Sequence, residues 1–173
     1  MSEDRKPPAE LAALFKQLPT QSYEQAEEIG KTLVEGGARN VLELVSMIRN
    51  KIGVAEGAKP KEALHALVIY ASRPGADDER RVVAEALAAE LSAEHSDELK
   101  ALIARQLQLC GRADDVPAIA KLLISDRLCE PATQALLAIG GKEAQQAIRS
   151  ALSQASDHRW TTLSQAAGLL SAR

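Results

Sequence analysis

Three histidines and two cysteines hold most of the metal-binding and nucleophilic potential of this 173-residue chain, so their spacing decides what chemistry is open to it. His65 stands in "LHA", His95 in "EHS" and His158 in "DHR". A helical metal site needs ligands three or four residues apart, so that they share a face. Only His95 with Glu98 has a carboxylate at that forward spacing, and one pair does not hold a metal. Cys110 and Cys129 are too few for a zinc cluster or a disulfide framework. No Gly-x-Ser-x-Gly turn and no glycine-rich phosphate loop occurs, and no cysteine is set near a suitable histidine. "GGK" at 140–142 reads as a connector between helices. The expectation is a non-enzyme with no catalytic residue, no metal and no cofactor.

The composition suits a folded protein built from many closely packed helices. The chain is 46% hydrophobic and 26% charged, but only 2% aromatic: Phe15, Tyr23, Tyr70 and Trp160. Its interior must therefore be filled by Ala, Leu, Ile and Val, and alanine carries the best helix propensity. Strands would want more Val, Thr and aromatics. The 21 basic and 24 acidic residues are interspersed and leave a formal charge of −3. That argues against a nucleic-acid partner, which needs a clustered basic surface. No run approaches the roughly 18 apolar residues of a membrane span. "MSEDRKPPAE" lacks the apolar core of a secretory signal, so residues 1–7 are expected to be a flexible tail and the chain, if complete, cytoplasmic.

Apolar residues recur at spacings of three and four from residue 9 onward, which predicts helix after helix. The expected helices lie near 8–17, 22–35, 38–50, 60–73, 77–92, 96–110, 114–124, 130–139, 142–153 and 158–171. Ser22, Asp77, Ser96, Asp114 and Asp157 are the expected N-caps, and Pro60 and Pro131 fit first turns. Gly36-Gly37, Pro74-Gly75, Gly111 and Gly140-Gly141 mark the stops, as left-handed C-caps. On this assignment Cys110 ends one helix and Cys129 begins the next equivalent one. The two thiols then sit at opposite ends, beyond the roughly 7 Å Cα limit for a disulfide, and stay reduced and inert.

One sentence of the sequence is written twice. "LQLCGRADDVPAIAKLL", 107–123, lies over "LLAIGGKEAQQAIRSAL", 136–152, so that Gly111, Ala118, Ile119 and Leu123 each recur 29 positions later and Cys110 falls on Ile139. A short amphipathic helix is marginal alone and must bury its apolar stripe on neighbours. Hairpins repeated at a constant interval do so by stacking. "GRADDVPAIAKLL" resembles the first helix of a short bacterial HEAT repeat, and "EPATQALLAIG", 130–140, resembles its second. "GGARNVLELVSMI", 36–48, and "ALHALVIYASRPG", 63–75, look like a further first and second helix.

That resemblance implies an all-α, right-handed α-α superhelix, a solenoid of about four HEAT-like hairpins over 38–75, 76–111, 113–140 and 142–171. A helical hairpin at 8–35 precedes them, and residues 8–173 form a single repeat domain. Insertions at 50–61 and 92–97 lengthen the first two repeats. Hydroxylases on such repeats use paired His-Glu dipeptides, which this chain lacks.

The function implied is a non-catalytic module for a protein or peptide partner, part of a larger bacterial protein, using the surface of the stacked second helices. Its candidate residues are His65, Arg105, Gln108, Gln134, Leu137 and Trp160, with Ile69, Ser72 and Thr162 beside them. Trp160 is expected to bridge the two helices of its own repeat, the alternative being a partner anchor. The other reading, from pigment-binding lyases related to these repeats, is an accessory enzyme domain holding a small ligand in the concave groove. A third expectation is self-association through the apolar end of the last helix, Ala166–Leu170.

Overall fold

The computed structural model describes residues 9–51 and 57–171. The expected tail over 1–7 and residues 52–56 of the first insertion lie outside them. The described residues are all-α, about 80% helical, with no strand among them. Ten α-helices follow in order: α1 Ala9–Phe15, α2 Tyr23–Val34, α3 Gly37–Asn50, α4 Ala58–Ala71, α5 Asp77–Leu91, α6 Asp97–Cys110, α7 Val116–Ala120, α8 Cys129–Ile139, α9 Gly141–Leu152 and α10 Asp157–Ser171. None of them is long and apolar enough to cross a membrane.

The chain divides into two compact units, one up to Ala86 and one from Leu87, with the boundary inside α5. In the first unit α2 and α3 both pack on α4, and α1 touches α4. Ile29, Leu33, Leu44, Ile48, Leu64 and Leu67 are fully buried there. Each such side chain stabilises the folded state by about 1.5–3 kcal/mol over leaving it in water. In the second unit α8 packs on α6 on one side and α10 on the other, while α7 packs on α9. Contacts of α7 with α8, and of α9 with α8 and α10, tie these two rows together. Neighbouring helices thus pack in the manner of stacked pairs. Of the repeated positions, Ile119 and Ile148 are both wholly buried, whereas Leu123 is buried and Leu152 only half-buried.

Local signals decide most helix ends. The Ser22 hydroxyl accepts from the Gln25 N–H at 3.2 Å and the Ser96 hydroxyl from the Leu99 N–H at 3.3 Å. These are the expected caps, which satisfy amides that have no partner within the helix. The three aspartates differ from expectation. Asp77 and Asp157 are the first helical residues, because the Ala76 and Ser156 carbonyls already accept from Arg80 and Trp160. The segment 114–124 is not one helix: two 3₁₀ turns, 113–115 and 121–124, flank the five residues of α7. Asp115, not Asp114, organises its start by accepting from the Arg112 N–H at 2.8 Å.

Gly37, Gly75, Gly140 and Gly141 have positive φ, as the stop signals require. Gly140, at φ 68°, closes α8 where a side chain would be strained. Gly111 is a correction: its φ of −58° is open to any residue. It is small for another reason, since a Cβ there would lie 2.5 Å from the Leu107 carbonyl oxygen and 2.8 Å from the Ile139 side chain.

Candidate functional site

A groove in the first unit runs between α2 and α4. Its floor exists because α2 carries a glycine where α4 comes closest. A Cβ on Gly30 would lie 2.5 Å from the Ala66 carbonyl oxygen and 2.7 Å from Tyr70 Cβ. Above this contact Tyr23, Ala26 and Glu27 of α2 face His65, Ala66, Ile69 and Tyr70 of α4 around a space of about 330 Å³. Tyr23 is 72% exposed and Ile69 42% exposed. That is large for residues whose apolar bodies gain by burial.

Polar contacts fix the walls. Both the Thr20 N–H and the Thr20 hydroxyl donate to Glu62 Oε1, at 2.8 Å and 3.0 Å, tying the segment before α2 to α4. The Arg73 guanidinium stacks 3.9 Å from the centre of the Tyr70 ring and donates to the Tyr70 carbonyl at 2.8 Å. Glu79 takes a hydrogen bond from the same guanidinium and raises the Arg73 pKa above its ordinary value. The Tyr70 ring is therefore held on one face by a cation, and the groove is formed before anything enters it. An apolar lining with a few charged groups at the rim suits one or two inserted side chains.

The expected site residues fall in separate places. His65 and Ile69 line the α2/α4 groove. The Ser72 hydroxyl donates to the Val68 carbonyl at 2.7 Å and closes its own helix. In the second unit Gln108, Gln134 and Leu137 come together with Ala138, Leu169 and Leu170 around about 270 Å³. Arg105 lies in a different depression with Asp97, Glu98, Ala101 and Arg127. Trp160 lines none of these depressions and is 54% exposed, so it does not fill a gap between the helices of its hairpin. Of the apolar end of α10, Ala166 is buried at 2% exposure and Leu169 is open at 60%.

Other reactive groups are internal. Cys110 and Cys129 are free and buried. Burial pushes the Cys129 thiol above its ordinary pKa. The His95 side chain, in the segment read as an insertion, is 3% exposed and its Nε2 lies 2.7 Å from Glu90 Oε2. Glu90, five residues back, is the partner, not Glu98. Among the described residues no three His, Cys, Asp or Glu side chains are grouped to hold a metal ion.

Tyr23, Glu27, Tyr70 and Arg73 were not expected at the site. One signal could have found them: "EIGKTL" puts a glycine inside a helical pattern, which marks close approach by another backbone. Of the protein-family models, curated proteins and solved structures compared with the chain, none matches it.

Proposed function

We propose that the chain is a non-catalytic protein-binding module of HEAT-type hairpins whose α2/α4 groove takes an apolar side chain of a partner polypeptide. One observation carries the reading. Both tyrosines of a chain that is only 2% aromatic flank the same preformed groove, with an arginine stacked on one of them. Tyrosine and arginine are enriched in binding hot spots, and tyrosine covers much area with only two side-chain torsions. The hairpin reading is supported by the α6, α8, α10 row and by the packing of α7 on α9. A groove already held open by Arg73 and Glu62 loses little ordering entropy when it is filled.

The test is a display selection of random peptides against the whole chain, followed by titration of the selected peptides. Peptides sharing an apolar anchor and losing at least about tenfold in affinity with Tyr23→Ala and Ile69→Glu support the groove. Both positions are exposed, so melting temperatures stay near that of the parent chain. Peptides that bind these variants as they bind the parent, or no selected peptide at all, end the proposal.

A further inference from the structure

Helix α10 packs on α8 and α9 and turns its opposite side to solvent. Trp160, Ser164 and Gly168 follow there at four-residue intervals, which makes them one ridge. Trp160 is 54% exposed, and a Cβ on Gly168 would meet nothing within 4 Å. The unit's own packing thus gives no reason for a residue that weakens a helix interior. From Trp160 to Ser171 the run "WTTLSQAAGLLS" carries no charge, in a chain that is 26% charged with net charge −3.

Charge and shape point to a second copy as the occupant. A two-fold contact sets a surface against itself, so any net charge on it meets the same sign. The neutral ridge of α10 avoids that cost within an acidic chain. Its shape is self-complementary, bulky at Trp160 and empty at Gly168. Two such ridges crossed antiparallel about Ser164 bring each tryptophan over the other copy's glycine, as in packing of four-residue ridges.

We infer that two copies associate through α10, the Trp160 of each filling the space over the partner's Gly168. The contact is small. A 15-residue helix is about 22 Å long, and one such face covers less than the roughly 800 Å² per partner of a standard interface. The dimer is therefore weak, with a dissociation constant of about 10 μM to 1 mM.

Sedimentation equilibrium of the full chain from about 5 μM to 1 mM tests it, with the emission of the sole tryptophan read in parallel. The expected result is mass rising toward twice the monomer as Trp160 emission shifts to shorter wavelength. Gly168→Leu and Trp160→Ala each weaken association by at least about tenfold while the circular-dichroism melt of the dilute chain holds. Should the leucine disturb the helix itself, the smaller Gly168→Ala melts no lower than the parent and still weakens the dimer. Constant monomer mass at every concentration leaves the ridge to a different polypeptide and overturns the inference. A dimer indifferent to Gly168 and Trp160 overturns it equally.

Discussion

Gly30 of α2 lies against the carbonyl of Ala66 in α4, so closely that an added methyl carbon would be 2.5 Å from that oxygen. The distance between packed helices is normally set by side chains, but here two backbones meet and the groove opens above them. Gly30→Ala therefore sets two effects against each other. Alanine gains about 1 kcal/mol of helix propensity. Overpacking against backbone atoms costs about 1–3 kcal/mol, because neither the carbonyl nor Tyr70 Cβ can swing away as a flexible side chain would. The expected net result is a lower denaturation midpoint with an unchanged slope, read by urea unfolding. A more stable Gly30→Ala chain would show that α2 and α4 separate without loss.

Gly168 is the opposite case on the same scale. No atom lies within 4 Å of its added Cβ, so the propensity gain of alanine stands alone in the dilute monomer. Gly168→Ala is expected to stabilise the chain by about 0.5–1 kcal/mol, measured by the same urea titration at low micromolar concentration. A destabilised variant would mean that the open side of α10 is covered in the monomer.

The two glycines show what the sequence discloses and what it hides. Helix positions were legible because spacing by threes and fours and caps such as Ser22 and Ser96 are local signals. The segment 114–124 was less so. Its apolar stripe reads as a continuous helix, whereas the Asp115 carboxylate and Pro117 favour a tight start and the end relaxes into a 3₁₀ turn. The shared depression at Gln108, Gln134 and Leu137 followed from aligning equivalent faces of α6 and α8. The α2/α4 groove did not, since periodicity tells which face is buried but not how near a particular neighbour comes. Trp160 stood among the candidate surface residues but was also expected to bridge its own hairpin; its 54% exposure goes against the bridging, which rested on the burial tendency of a lone large aromatic.

Burial of both cysteines predicts slow thiol chemistry. Desolvation disfavours the thiolate, and Cys129, its pKa raised mainly by burial, lies 3.9 Å from the Thr133 hydroxyl. An aromatic disulfide reagent at neutral pH is expected to titrate essentially no thiol in the native chain and both after unfolding. Rapid native reaction of either would place that cysteine at a surface that opens readily.

Acid stability is set in part by two helix starts. Glu24 in the first turn of α2 and Glu98 in the first turn of α6 both have pKa values lowered from the ordinary 4.5. The larger cause at each is its own backbone amide, followed by the capping hydroxyl, Ser22 for Glu24 and Ser96 for Glu98. A carboxylate whose folded pKa lies below its unfolded value binds fewer protons in the native state through that interval. Its contribution to stability is complete above the unfolded value near 4.5 and is lost as pH falls through the folded value. Both side chains are solvent-exposed, so the effect is a change of slope and not a collapse. The chain with Glu24→Gln and Glu98→Gln together is expected to show a flatter fall of melting temperature than the parent from about pH 5 down to about pH 3. Identical slopes for the two chains would mean that the first-turn carboxylates are bound no more tightly in the folded helices than in the open chain.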